Sequence, residues 1–386
     1  TEDAFSSFIF KTVVDQFIGR TSYVKILSGN ITENSTLYNP SEKKAERLGS
    51  IYTACGKNQK NIKQAAAGDI IIINKLQYSK TNDTLCVEKF PILYEKLNYA
   101  EPMYKMAITA KDKADEDRLG TALCRLTDEE PSIKITRDEQ TNELCISGVG
   151  ELHLTIALEK LKRKFGVTAC LQEPSIAYME TIKKNAKAEG KYKKQSGGHG
   201  QYGDVWLEIS PLDRSSGVTF TESIFGGAVP RQYIPAIEKG VKETLAKGLI
   251  AGYPMTDIKV NLYDGSYHTV DSSEQAFKAA ASLALKKAVP EANPIILQPY
   301  YLVDIVTPNY FMGTVINGLT AHRGRIMSTT SPSLSISKIQ AQVPEAELTK
   351  YAIELRSQTQ GRGSYALKFS HYEEIPAKIR DTLLTK

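Results

Sequence analysis

The sequence predicts a multidomain α+β fold, and three observations predict it. As far as about Glu88, short β-branched runs are broken at Gly19, Gly29, Gly49 and Gly68, the pattern of a small β-barrel. Two later stretches, around 103–171 and 301–369, each run strand, helix, strand, strand, helix, strand. Between them lies an α/β unit in which a lysine-rich arm leads into a glycine-rich hairpin tip. A chain of 386 residues has room for several cores rather than one.

Taken in order, residues 1–91 form the expected β-barrel, with Phe8 to Val14, Tyr23 to Leu27 and Ile70 to Ile73 as its clearest strands. In residues 92–173, Met103 to Thr109 reads as a strand. Leu119, Ala122, Leu123 and Leu126 then share one face of a helix opened by acidic residues. Ile133 to Ile135 and Leu144 to Ile146 make a strand pair around a polar turn at 140–142. Leu154, Leu158, Leu161 and Phe165 line a second helix, and Val167 to Leu171 closes the unit. That order is the split βαβ, or ferredoxin-like, βαββαβ domain.

Residues 174–297 hold the hairpin, a helix over 230–247, a strand over 257–262 and an alanine-rich helix over 273–288. Ser272 or Ser273 is its expected N-cap and Pro290 its stop. Residues 298–371 repeat the βαββαβ order, with strands at 301–306, 325–329, 333–342 and 364–369 and helices at 311–319 and 345–355. The last segment, 372–386, has an amphipathic helical pattern and is expected to return to the central α/β domain.

The most distinctive stretch is Gln-Ser-Gly-Gly-His-Gly-Gln-Tyr-Gly, 195–203. Lys183, Lys184, Lys187, Lys191, Lys193 and Lys194 precede it; after it Val205, Leu207 and Ile209 alternate with Asp204, Trp206 and Glu208, a half-buried strand. Glycines let another backbone come close. A tip carrying His199, Gln201 and Tyr202 suits a polar partner such as RNA, and an ordinary hairpin tip fits the same residues equally well. The net charge of +5 permits a nucleic-acid partner without requiring one.

Other chemistry is poorly supported. The pattern Gly-x-x-x-x-Gly-Lys-Ser/Thr is absent, as is Gly-x-Ser-x-Gly. Asp264, His268, Asp271 and Glu274 lack a second histidine at ligand spacing, so Asp264-Gly265 reads as turn chemistry rather than metal chemistry. No catalytic residue, cofactor site or metal ligand is assigned. The five cysteines, Cys55, Cys86, Cys124, Cys145 and Cys170, form no Cys-x-x-Cys pair and read as free thiols of a reducing compartment. No apolar run is long enough to suggest a membrane span, and there is no signal-peptide pattern. A first residue Thr1 in place of Met reads as a piece of a longer product. Arg323-Gly324-Arg325 and Thr359-Gln360-Gly361-Arg362-Gly363 suit phosphate contacts, and turn or cap chemistry explains them as well. Tyr365 and Phe369 share a strand on which stacking aromatics of an RNA-binding sheet could sit.

Four stretches carry a family resemblance: Gln195 to Gly203, Asp264-Gly-Ser-Tyr-His-Thr-Val-Asp-Ser-Ser-Glu274, Gly148-Val-Gly-Glu-Leu-His153 and Thr359-Gln-Gly-Arg-Gly363. Over essentially its whole length the chain resembles elongation factor G, bacterial or organellar, without the amino-terminal GTPase domain. The resemblance implies domain II over 1–91, domain III over 92–173, domain IV over 174–297 with 372–386, and domain V over 298–371. It implies a ribosome-binding factor that promotes translocation of tRNA and mRNA, the tip of domain IV entering the decoding centre. Gly197, Gly198, His199, Gly200, Gln201 and Tyr202 would form one tip loop, and Ser266, Tyr267 and His268 the other. Domain V would lie near the sarcin-ricin loop and stalk base, with Arg323, Arg325 and Arg362 as candidate rRNA contacts. GTP and Mg²⁺ would belong to a GTPase domain upstream, so this chain would carry no catalytic residue of its own. A monomer in the cytoplasm, or in the mitochondrial matrix, is implied. His199 stands where the family usually has Arg, His322 where a second Arg is common, and Leu348-Thr349-Lys350 where Met-Phe-Gly is usual. Alternatives are a paralogue in ribosome recycling or GTP-independent translocation, and a stand-alone ribosome- or RNA-binding protein.

Overall fold

The computed structural model describes residues 4–15, 19–56, 58–138, 140–194 and 200–384. They fall into two compact units, Thr1–Ser175 with Thr349–Ser357, and Ile176–Leu348 with Gln358–Lys386.

The first unit begins with ten strands: β1 (Ser6–Asp15), β2 (Gly19–Ser28), β3 (Asn30–Thr32), β4 (Thr36–Asn39), β5 (Lys44–Arg47), β6 (Ile51–Cys55), β7 (Asn58–Ile62), β8 (Gln64–Ala66), β9 (Ile70–Asn74) and β10 (Thr84–Cys86). Eight of them make one sheet in the order β5-β4-β10-β1-β2-β9-β6-β7, and β3 pairs with β8. Ile9, Val24, Ile26, Ile51, Ile71 and Leu85 point into a single core. The alternation of the sequence is what sets this: Val24 and Ile26 on β2 are fully buried while their neighbours are not.

Next come β11 (Tyr104–Ala110), α1 (Lys113–Glu129), β12 (Lys134–Arg137), β13 (Leu144–Gly148), α2 (Glu151–Phe165) and β14 (Ala169–Gln172). The sheet order β12-β13-β11-β14 is that of the split βαβ unit. The apolar face expected of α1 is the buried one, Leu119, Ala122, Leu123 and Leu126; on α2 Leu154, Leu161 and Phe165 are buried as expected, but Leu158 is only half-buried and Ala157 takes the inner position at that turn. Gly166, with φ +64°, ends α2 in the left-handed conformation.

The second unit contains β15 (Met179–Ile182), β16 (Ala186–Lys194), β17 (Gln201–Pro211), β18 (Val218–Glu222), α3 (Ile234–Lys247), β19 (Ile258–Ser266), α4 (Glu274–Glu291) and β20 (Pro294–Pro308). It continues with α5 (Met312–Ala321), β21 (Arg325–Thr330), β22 (Ile336–Pro344), α6 (Tyr351–Gln358), β23 (Ser364–Glu374) and α7 (Ala377–Leu384); most of α6 falls in the first unit. The order β16-β17-β19-β18 is antiparallel except for β18 beside β19. On β17 Val205, Leu207 and Ile209 face the helices and are fully buried, whereas Trp206 on the opposite face is 37% exposed.

The alanines of α4 have a packing purpose. Ala276, Ala280, Ala281, Ala284 and Ala288 are fully buried. A Cβ on Gly190 would lie 2.1 Å from the Ala280 carbonyl oxygen, and one on Gly203 2.7 Å from that of Ala276. Glycine on the hairpin and alanine on the helix thus let the two backbones meet. Ser273 caps α4, accepting the Ala276 N–H. Pro290 lies inside the last turn and the helix ends one residue later, slightly past the expected stop.

The longest strand is β20. Its residues 294–297 pair with β15, residues 300–308 with β22, and residues 297–306 with β23. The sequence pattern supports a strand only over 301–306, because Pro299 breaks it. Pro299 falls where one neighbour changes from β15 to β22, a gap that tolerates a residue without an N–H. The helix expected over 345–355 is instead a short 3₁₀ turn at Glu345–Glu347 followed by α6, divided at Leu348-Thr349-Lys350.

Candidate nucleic-acid interface

The hairpin of β16 and β17 stays in register to its tip, with Lys193 opposite Tyr202 and Lys194 opposite Gln201. Gly197, Gly198 and His199 lie outside the described residues. Gly200, Gln201 and Tyr202 lie beside the segment 266–272 that follows β19. The two loops that the sequence marked separately therefore meet at one end of one sheet.

Several hydrogen bonds lace them. Asp271 Oδ1 accepts the Gly200 N–H at 2.9 Å, and its carbonyl accepts the Tyr202 N–H at 2.8 Å. The Ser266 hydroxyl donates to Asp204 Oδ2 at 2.6 Å, so the Tyr202 hydroxyl, 2.7 Å from Ser266 Oγ, is the donor in that contact. Asp204 is buried, and its Oδ1 has no hydrogen-bond partner among the described residues. Lys193, Lys194, Gly200, Gln201, Tyr202, His268 and Asp271 line a cleft of about 240 Å³.

His268 is fixed from its own backbone. Its N–H donates to Ser272 Oγ at 2.9 Å, and its Nδ1 accepts from the N–H groups of Asp271 at 3.2 Å and Val270 at 3.4 Å. That pattern assigns the neutral ring's proton to Nε2. Asp271 Oδ2 is also 3.3 Å from Nδ1, but that contact becomes an ion pair only if protonation displaces the two backbone donors. The His268 side chain is half exposed, and Tyr267 is exposed.

Part of the lysine arm is held within the protein. Lys183 pairs with Glu374 at 2.7 Å, and Lys187 with Glu208 at 3.3 Å. Lys191, Lys193 and Lys194, nearest the tip, are exposed, and Lys191 lies 5.7 Å from the centre of the Tyr202 ring.

The three candidate arginines are not gathered into one patch of free charge. Arg323, at φ +56°, donates from Nε to Glu347 at 2.8 Å and reaches Gln298. Arg325 makes a bidentate pair with Glu373 at 2.7 and 2.9 Å and lies over the Tyr300 ring. Burial raises the Glu373 carboxyl, but hydrogen bonds from His371 and Arg325 outweigh it and hold the group below the usual glutamate range. Arg362 is exposed, its guanidinium 5.9 Å from the Phe311 ring. Of the aromatic pair on β23, Phe369 is 48% exposed, while Tyr365 is buried and its phenol is pushed up by desolvation. Tyr365 is thus closed to stacking on a base.

Sequence reasoning missed two residues. Asp271 has no assigned role in the sequence beyond a poorly supported metal cluster and its place in the 264–274 stretch, and nothing in its spacing says that it bonds to residue 200. Glu180 has none. It is fully buried, and its carboxylate accepts the N–H groups of Leu249, Ile250, Ala251 and Tyr253.

Sequence models for four successive parts of one factor match this chain: elongation factor G domain 2 over 4–88, domain III over 99–173, domain IV over 174–293 and the elongation factor G C-terminus over 295–383. A crystal structure of a protein from Thermus thermophilus is similar to it at 38% identity and a TM-score of 0.83, over 99% of this chain and 57% of that one. This chain therefore spans rather more than half the length of that relative. Barrel, split βαβ unit, hairpin domain and second split βαβ unit together define a translation-factor architecture. Within that class, the chain belongs to the elongation factor G family.

Proposed function

We propose that this chain is the ribosome-engaging part of a factor that promotes movement of tRNA and mRNA, with the tip of the β16–β17 hairpin as its working end. One observation carries the reading: two polar loops distant in sequence are bonded into a single tip beside exposed Lys191, Lys193 and Lys194. The described tip holds no acid-base pair set against a nucleophile, so its work is steric and electrostatic. It occupies space next to an RNA helix and biases a ribosome between two states. Lysines at the tip draw it to phosphate, Gln201 and His268 Nε2 offer donors to RNA edges, and the Tyr202 hydroxyl oxygen, its proton committed to Ser266, offers an acceptor. Any GTP and Mg²⁺ chemistry would be supplied by a GTPase domain of the full product. The five cysteines are all free thiols, consistent with work in the cytoplasm or the mitochondrial matrix.

The test is pelleting of the chain with purified ribosomes across a salt series. Binding should weaken steeply with salt. Replacing Lys191, Lys193 and Lys194 by alanine should make the slope of log K against log salt shallower, by about one for each phosphate that is no longer neutralised. A slope unchanged by the triple substitution would remove the tip from the interface.

A further inference from the structure

We infer that Asp271 is the positioning residue of the tip: it clamps the Gly200–Tyr202 segment to the 266–272 loop so that RNA meets both loops as one surface. This rests on the tip being the working end of the domain.

The clamp is double. The Asp271 carboxylate holds the Gly200 N–H and its carbonyl holds the Tyr202 N–H, at 2.9 and 2.8 Å. Its own N–H reaches back to His268 Nδ1 at 3.2 Å, so one residue fixes the first loop and orients the histidine of the second. Tyr202 and Ser272 form an isolated parallel bridge alongside. The approach is close: a Cβ at position 200 would lie 3.1 Å from both Asp271 Cγ and Oδ2, so the carboxylate would have to give by a few tenths of an ångström. The Asp271 side chain is 29% exposed, and the helix that follows has its own cap in Ser273. The clamp therefore shapes the surface without supporting the core.

A carboxylate beside Lys193 and Lys194 opposes phosphate binding by its charge. Its hydrogen bond to Gly200 is a compensating reason for its presence, and that bond needs only an acceptor at Oδ1. Asp271→Asn keeps that acceptor and removes the charge; Asp271→Ala removes both.

The experiment combines amide hydrogen exchange and ribosome pelleting on the full 386-residue chain. Asp271→Ala should speed exchange at Gly200 by about tenfold or more, the range for a hydrogen bond to a charged acceptor, change Tyr202 less because its N–H bonds to the main-chain carbonyl that alanine keeps, and leave α4 unchanged. It should weaken ribosome binding several-fold with an unaltered salt slope, since every phosphate-facing lysine is still present. Asp271→Asn should restore both readings. Unaltered exchange in Asp271→Ala refutes the clamp, as does an asparagine variant that behaves like alanine in both assays. Faster exchange with unaltered binding, in a protein whose lysine variants do bind less, refutes the positioning role. If the lysine variants and His268→Ala are also inert, the tip reading itself has failed and the functional half of the clamp falls with it.

Discussion

Replacing Glu180 by alanine should free the loop between α3 and β19 by about 4 kcal/mol. The wholly buried Glu180 carboxylate serves that loop from both oxygens: Oε2 accepts Leu249 and Ile250 at 2.7 and 3.0 Å, and Oε1 accepts Ala251 and Tyr253 at 2.7 and 3.1 Å. The backbone adds two bonds, from the Glu180 N–H to Pro254 and from the Thr256 N–H to Glu180. Each hydrogen bond to a charged acceptor contributes about 1.5–3 kcal/mol net, but the four share one desolvated carboxylate and do not add. Glu180→Ala leaves no charge behind but leaves four backbone N–H groups without their acceptor; at about 1–3 kcal/mol each, partly regained as water reaches the opened loop, the cost is about 4 kcal/mol. Four kcal/mol corresponds to roughly a thousandfold increase in opening of the loop. Glu180→Gln is the sharper test, because it keeps Oε1 but turns an NH₂ donor toward the Leu249 and Ile250 N–H groups, and should lose at least half as much. Denaturant unfolding of a multidomain chain is not two-state, so the assay is site-resolved hydrogen exchange at residues 249–253. Exchange within about threefold of wild type in Glu180→Ala would refute the argument, since it would put the loop's stability elsewhere.

Gly190→Ala should push the hairpin off α4 and destabilise the domain by about 2–3 kcal/mol or more, because the new methyl meets the Ala280 carbonyl and the Ala284 N–H. Thermal melting followed by Trp206, the single tryptophan of the chain, reads this directly. The Arg325–Glu373 pair has a signed pH dependence. The folded carboxyl titrates below its unfolded value, so its contribution is present above about pH 4.3 and is lost as pH falls through the folded value. Arg325→Ala should therefore flatten the acid limb of a stability profile and leave the neutral region less altered. His268→Ala should shift stability by less than about 1 kcal/mol, since the ring is half exposed, yet slow ribosome-dependent translocation in the full-length product. An equal loss in folding and function would mark His268 as structural.

The parts of the fold that local pattern governs were readable in the sequence. The helix faces of α1 and α2, the Ser273 cap and the alternation on β17 follow from side-chain period alone. What resisted reading depends on partners far away in the chain. β20 runs through Pro299 because its neighbour changes there, and no local signal reports a neighbour. Asp271 and Glu180 act on backbone groups roughly 70 positions distant, an interaction indifferent to the side chain on the receiving residue. The glycine cluster was conspicuous, but the close approach of Gly200 to the Asp271 carboxylate is visible only in the fold. That Arg323 and Arg325 pair with Glu347 and Glu373 was not legible either, because sequence shows a charge and not its counter-charge.

The 15-residue strand β20 has a mechanical consequence. At about 3.3 Å per residue it is a rod of roughly 50 Å, bonded at one end to β15 and over the rest to β22 and β23. A load along its axis is carried in shear by many backbone bonds at once, whereas a load across it would break them one by one. Force borne by the hairpin domain thus has a continuous covalent route, along one hydrogen-bonded strand, into the last βαββαβ sheet.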